Sequence, residues 1–274
     1  MRLNSKKILG ISITTNVKEE ILEYFKKCLE NTGKTGVKSL TIVTPNPEQV
    51  VLAQKNPHFA EFLNRADVAI PDGIGVVWAS RILNPIVHIS RITGVELIEE
   101  LVGLAAKQGY RIGLIGGRGG VAVRALECLE KKHSGLRGWA IDGPELKIQS
   151  TNQLINQLTN GKENVEQEIN QIADKIRKSG IQIVFVGLGA PKQEYFIEKL
   201  KVQMAKLKQE KTVVFMSVGG SFDEISGRLP MPPKFIDRYG LKWLWRLSLE
   251  PWRWKRQLAL LEFIWLVLKE KLIS

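Results

Sequence analysis

Cysteine is nearly missing from this chain of 274 residues: Cys28 and Cys128 stand far apart, without C-x-x-C spacing, and there are only three histidines. Neither a disulfide framework nor a zinc site is supported, and a cytosolic setting is expected. The first seven residues run straight into a strand-like stretch at 8–13, with no apolar segment ending in a small-residue cleavage site, so no secretory signal is expected. Residues 258–268 are apolar apart from Glu262 but fall far short of the roughly 20 residues that a membrane-spanning helix needs. A G-x-G-x-x-G fingerprint is missing, which weakens a dinucleotide-binding reading. No D-x-D pair ends a strand to hold a metal, and no RRM, KH or zinc-finger signature points to nucleic acid.

What is present is 44% hydrophobic residue content, enough for one large core, or a core with a small appendage. Strand-like stretches at 8–13, 39–43, 68–70, 111–115, 181–186 and 212–218 alternate with helical patterns at 18–30, 48–54, 94–108, 121–132 and 193–208. This is the rhythm of βαβ units. The expected fold class is α/β and Rossmann-like, a mainly parallel sheet with helices on both faces, followed by a small helical C-terminal appendage. The Asn/Gln-rich stretch from Gln149 through Asn170 reads as a surface excursion leading into an amphipathic helix that ends near Ser179.

Ligands of open α/β sheets bind outside the carboxyl ends of the strands, so the residues there carry the chemistry. Asp72 follows the strand at 68–70, between Pro71, which fixes φ, and Gly73, which admits a tight turn into the next helix. A carboxylate so held suits a general base, and it equally suits a helix cap. Thr44-Pro45-Asn46-Pro47 follows the strand at 39–43 and offers a hydroxyl and an amide on a rigid loop, fit for sugar hydroxyls or for a turn with an N-cap. Three further strands end in small-residue loops: Gly116-Gly117-Arg118-Gly119-Gly120, Gly187-Leu188-Gly189-Ala190-Pro191-Lys192-Gln193-Glu194 and Gly219-Gly220-Ser221-Phe222-Asp223. The first has the form of a phosphate-cradling turn before a helix. Together with Asp72 and Asn46 they are expected to form one cleft for a phosphorylated ligand.

Charge is uneven along the chain. Between Arg228 and Arg256, eight basic residues face only Asp237 and Glu250, so about a tenth of the chain holds half of the net charge of +12. Leu229-Pro230-Met231-Pro232-Pro233 reads as a stiff linker, which divides the chain into residues 1–228, an α/β catalytic domain, and 229–274, a basic appendage with five of the seven tryptophans. Indoles, arginines and an apolar helix suit interfacial membrane binding. A helical hairpin packed through its tryptophans, or a surface for single-stranded nucleic acid, would use the same residues.

Taken in order, Thr44-Pro45-Asn46-Pro47, Pro71-Asp72-Gly73, Arg91-Ile92-Thr93-Gly94, the Gly187–Glu194 and Gly219–Asp223 motifs and Glu250-Pro251-Trp252-Arg253-Trp254 closely resemble the bacterial WecG/TagA/CpsF glycosyltransferase family over nearly the whole chain. The resemblance implies inverting, metal-independent transfer of N-acetylmannosamine or a related hexose from a UDP-sugar to a polyprenyl-diphosphate-linked saccharide, in the synthesis of bacterial surface polysaccharide. No cofactor is implied. The setting it implies is peripheral, on the cytoplasmic face of the cell membrane. Asp72 matches the catalytic base, Thr44 and Asn46 match positions near the donor sugar, and Arg91 an arginine at the phosphates. Gln193 and Asp223 match positions around the nucleotide, and Arg246, Arg253 and Arg256 the appendage arginines that reach the diphosphate. The polar insert after Asp142 is longer than the family pattern. No nucleic-acid partner is expected, and oligomeric state, a homo-oligomer included, stays open. The rival readings are a nicotinamide or flavin oxidoreductase on a doubly wound sheet, and a non-catalytic module that binds membrane or nucleic acid.

Overall fold

The computed structural model describes residues 3–30, 39–87, 89–144, 163–207 and 211–273. Apart from one small hairpin, the strands form a mainly parallel six-stranded sheet with helices around it, the expected α/β, Rossmann-like class. The chain divides into two compact units: one takes the chain up to Ile21, Thr44–Gly94 and everything from Leu229, the other Leu22–Val43 and Val95–Arg228.

The second unit holds five strands of the sheet: β3 (Ser39–Val43), β5 (Arg111–Gly116), β6 (Arg137–Ile141), β7 (Ile181–Gly187) and β8 (Val213–Ser217), in the order β3-β8-β7-β5-β6. Every pair among them is parallel, with Leu40 opposite Val214, Phe185 opposite Met216 and Leu114 opposite Phe185. Helices on both faces of a parallel sheet leave its strands no polar side, and β7 accordingly buries Ile183, Val184, Phe185 and Val186 completely. Helix Glu163–Lys178 turns Ile169, Ile172, Ala173 and Ile176 inward at helical spacing, and Lys192–Lys206 does so with Phe196, Ile197, Leu200 and Met204. The 163–178 helix is the amphipathic helix expected before Ser179; the excursion at 145–162 lies outside the described residues.

The first unit corrects one expectation. Residues 8–13 are not a single strand: β1 (Ser5–Ile8) and β2 (Ile11–Thr14) form an antiparallel hairpin around Leu9 and Gly10, both at positive φ (48° and 77°). A two-residue turn of that hand matches the twist of the flanking strands, and Gly10 is its only sequence mark. The helices Pro47–Lys55 and Pro57–Arg65 each start with an Asn N-cap and a Pro at the first helical position. The same Asn-Pro signature that marks the first marks the second, which the sequence reading passes over. The two-residue β4 (Val68–Ala69) leads to helix Ile74–Leu83.

In the same unit, the stretch from Leu229 contains helices Lys234–Arg238 and Lys242–Leu249, a short 3-10 turn and the long helix Trp254–Ile273. Phe263 and Val267 of that helix are fully buried, packed toward helices Pro47–Lys55 and Ile74–Leu83, and Lys55 Nζ pairs with Glu262 at 2.7 Å. Its tryptophans do not do the packing: Trp254, Trp265 and the neighbouring Trp252 are all exposed, as are Leu258, Leu261, Leu268 and Leu272. No helix among the described residues is long and apolar enough to cross a membrane.

Candidate active site

In the first unit, backbone hydrogen bonds sew together two strand-end loops and the loop at 84–93 between two helices. The Asp72 N–H donates to the Pro45 carbonyl at 3.1 Å, and the Ile92 N–H donates to the Pro71 carbonyl at 3.4 Å. Gly73 takes φ 91°, and a Cβ on Gly75 would lie 2.6 Å from Pro47 Cγ, so the Pro-Asp-Gly-Ile-Gly run is what lets the turn close on the Thr44–Pro47 loop. The N-cap of helix Ile74–Leu83 is Gly73, one residue past Asp72, so Asp72 does not hold the usual position of a capping aspartate. Its side chain is half-buried.

Asn46 does cap. Its Oδ1 accepts the Gln49 N–H at 2.9 Å, which commits the carbonyl end of the amide to helix Pro47–Lys55 and leaves the amide nitrogen as the end with hydrogens to give. Thr44, just before it, is buried. Arg91 is gripped by helix Lys234–Arg238: Nη1 donates to the Asp237 carbonyl at 2.9 Å and Nη2 to Asp237 Oδ1 at 2.5 Å. The same segment approaches at Gly240, where a Cβ would sit 2.6 Å from Ile74 Cβ.

The three appendage arginines separate into a pair and a single. Arg246 Nη2 at 3.3 Å and Arg253 Nη1 at 2.6 Å share one oxygen, Oε2 of Glu250. Glu250 lies four residues after one and three before the other, across the break between a helix and a 3-10 turn. The trio is mostly buried and carries one net positive charge. Arg256 stands apart, half-exposed, with Nε 3.4 Å from Glu48 Oε1.

In the second unit, the three glycine-rich strand ends come together, as the sequence leads one to expect. The Gly117 N–H donates to the Gly187 carbonyl at 3.1 Å, and the Val218 N–H to the Val186 carbonyl at 2.9 Å. A Cβ on Gly187 would meet the Phe222 ring at 2.8 Å and the Gly219 carbonyl at 2.9 Å, so only glycine fits where these loops touch. One of them already holds an anion from the chain itself: the Gly120 N–H, at the start of helix Val121–Lys132, donates to both carboxylate oxygens of Asp142, at 3.2 and 3.3 Å. The attraction of that turn for negative charge is real, and Asp142 answers it.

Gln193 and Glu194 are fully buried side by side. Gln193 Oε1 accepts the Gly219 N–H at 2.9 Å while its Nε2 donates to Glu194 Oε1 at 2.8 Å. Burial pushes the Glu194 carboxyl up to about 7, against bonds from Gln193, its own backbone N–H and Ser217 that favour the charged form. Asp223 is paired with Arg228 at 3.4 Å. Sequence reasoning gives site roles to the arginines and the amide, whereas it meets Asp237, Glu250 and Glu194 only as charge or as motif members and not as the acids that hold them. Of these only Glu250 left a readable signal, its three- and four-residue spacing from two arginines.

The family model described as "Glycosyl transferase WecG/TagA/CpsF family" matches residues 6–274 of this chain. The chain is 32% identical over 253 residues, 92% of its length and 88% of the relative's, to a Bacillus spizizenii protein named N-acetylglucosaminyldiphosphoundecaprenol N-acetyl-beta-D-mannosaminyltransferase. A Bacillus subtilis protein of the same name is 33% identical over 230 residues, 84% of this chain and 79% of the relative.

Proposed function

This chain belongs to the WecG/TagA/CpsF glycosyltransferase family and is a glycosyltransferase; within that class we propose that it moves N-acetylmannosamine, or a closely related hexose, from UDP to a polyprenyl-diphosphate-linked saccharide, with inversion and without a metal. Such an acceptor is what the names of its Bacillus relatives specify, and the activity would serve the synthesis of a cell-surface polysaccharide. One observation carries the reading: the Asp72 carboxylate stands in a turn fixed by the Asp72–Pro45 and Ile92–Pro71 backbone bonds, in the same loop cluster as Asn46 and Arg91.

In the proposed reaction Asp72 takes the proton of the acceptor hydroxyl as its oxygen attacks the anomeric carbon from the face opposite the leaving group. The bond from that carbon to the phosphate oxygen breaks, its electron pair leaves with UDP, and the configuration inverts. Thr44 and the Asn46 amide nitrogen address the donor sugar. Arg91 answers charge at the phosphates, and Arg246, Arg253 and Arg256 answer the diphosphate, since guanidinium forks match phosphate oxygens and carry fixed charge. Gln193 and Asp223 serve the nucleotide, Gln193 from beneath the 218–220 loop. Residues 229–274 would complete the site and hold the enzyme peripherally on the inner membrane face, through the exposed Trp and Leu side chains of helix Trp254–Ile273 and the basic residues around them.

The test is an assay with UDP-N-acetylmannosamine and a short-chain polyprenyl-diphosphate-N-acetylglucosamine in EDTA. Transfer with an inverted anomeric centre is expected. Strict dependence on added Mg²⁺ or Mn²⁺, or a retained configuration, would overturn the mechanism.

A further inference from the structure

Gln193 presents a problem that its own side chain does not solve. The two ends of a carboxamide have nearly the same shape but opposite polarity, so packing alone does not choose between its two rotations. Rotated by half a turn, Gln193 would set its NH₂ against the Gly219 N–H and its oxygen against the Glu194 carboxylate, and both bonds would be lost. In the orientation present, Oε1 accepts from Gly219 at 2.9 Å and Nε2 donates to Glu194 at 2.8 Å. Ionised, as it is above about pH 7, the Glu194 carboxylate only accepts, and it then makes one rotation favourable and the other doubly unfavourable.

A fully buried carboxyl is a costly way to fill a core, since an apolar side chain of the same size would need no partners. Its placement also reaches the loop from a second side. Ser217, which favours the charged form of that carboxyl, is the last residue of β8, immediately before the 218–220 turn. That turn continues into Ser221, whose hydroxyl and N–H both donate back to the Val218 carbonyl, at 2.7 and 3.1 Å.

We propose that Glu194 is a positioning residue: it fixes the rotation of the Gln193 carboxamide that accepts the Gly219 amide, and thereby sets the shape of the 218–220 loop at which the donor's nucleotide binds. The nucleotide half of this rests on the function proposed above; the positioning half does not.

Two variants of matched length separate polarity from packing. Glu194→Gln keeps a carbonyl oxygen able to accept from Gln193, whereas Glu194→Met fills the same space without an acceptor. Amide hydrogen exchange on the full chain reads the loop directly. Gly219 should exchange at least about tenfold faster in E194M than in the wild type, while E194Q restores most of the protection, the loss of one buried hydrogen bond being worth that much or more. Equal protection in the two variants would overturn the proposal.

UDP affinity by calorimetry reads the consequence: a dissociation constant about tenfold weaker in E194M, with E194Q much closer to the wild type, and with saturating donor restoring turnover. If the wild type binds UDP and E194M binds it equally well, the loop's shape does not depend on Glu194. If the wild type binds no UDP, the donor reading falls, and Gly219 exchange alone decides the positioning role. Should E194M not fold, Gln193→Leu removes the middle link instead. In that background Glu194→Ala, which should speed Gly219 exchange when Gln193 is present, should no longer alter it, and a persisting effect would show that Glu194 acts by another route.

Discussion

The two units make different use of their candidate site residues. The first works with charged side chains, and it holds its arginines with opposite charges: Arg91 with Asp237 and Arg256 with Glu48, both far along the chain, and Arg246 and Arg253 with the neighbouring Glu250. The second works with backbone. Its glycine loops touch main chain to main chain at Gly117, Gly187 and Gly219, and its polar pair, Gln193 and Glu194, lies buried behind them. Side-chain charges can answer charge as it develops at the leaving group, whereas these glycine loops, packed main chain to main chain, fix the shape into which a ligand fits. Substitutions in the first unit should therefore strike turnover, and those in the second should strike affinity and stability.

The sharpest break is Asp72→Asn. The amide keeps the shape of the turn, and the backbone bond from residue 72 to Pro45 does not involve the side chain, so folding and UDP affinity should stay near the wild type. Turnover should drop by about 10²–10⁴, the usual scale for a lost general base. Retention of more than about a third of the wild-type rate would make Asp72 a structural residue and leave the first unit without its reacting group.

Within the first unit, the appendage helix allows a stability contrast. Phe263→Ala removes a fully buried ring beneath helices Pro47–Lys55 and Ile74–Leu83, and should cost about 3–5 kcal/mol in denaturant unfolding. Trp265→Ala, two residues on and exposed, should cost under about 1 kcal/mol. Similar losses at both positions would mean that the tryptophans, and not Phe263 and Val267, bind this helix to its unit.

What could be read from sequence follows the same division. Glycine and proline act through their own backbones, so the Thr44–Pro47 loop, the Pro71–Gly73 turn and the meeting of the three glycine loops are legible residue by residue. The hairpin at 5–14 is not, because apolar residues at 8, 11 and 13 fit one strand as well as two and only Gly10 betrays the turn. Nor is strand Arg137–Ile141, where a charge and a glycine interrupt the pattern. Gly138 is there because strand β6 runs so close to β5 that a Cβ would reach the Ile112 carbonyl at 2.6 Å, a contact between distant segments. Pairings across the chain are hidden for the same reason. Nothing local joins Arg91 to Asp237, 146 residues away, or gives Asp142 to the Gly120 amide. The first unit itself is assembled from three separated segments, a fact of packing and not of composition.

Glu194 gives the second unit a pH signature. Its carboxyl is raised from 4.5 to about 7 by burial, so between those values the folded state binds more protons than the unfolded state. Stability is then greatest below about pH 4.5 as far as this group is concerned, and falls as pH rises to about 7, by an upper bound of about 3 kcal/mol. Glu194→Gln carries no charge at any pH and should flatten that part of the profile, gaining on the wild type above pH 7. Parallel profiles for the two proteins would mean that the buried pair is better solvated than its geometry implies.

The smallest effects belong to the exposed basic residues of the appendage, and they test whether its surface meets a membrane. Lys255 and Lys269 lie over the rings of Trp254 and Trp265, 5.9 and 5.1 Å from the centroids, so cation and indole share one patch. Each lysine near an anionic surface contributes about 1 kcal/mol, roughly a fivefold change in partitioning, and is screened within about 8 Å at physiological ionic strength. Lys255→Gln and Lys269→Gln should each weaken binding to anionic vesicles by about that factor, with the difference shrinking as salt rises and vanishing on zwitterionic vesicles. Neither lysine is assigned to substrate, so turnover on a water-soluble short-chain acceptor should not change. Lost turnover on that acceptor would place the patch at the active site. Unchanged vesicle binding would remove these lysines from the membrane surface and leave the exposed tryptophans to be explained by another partner.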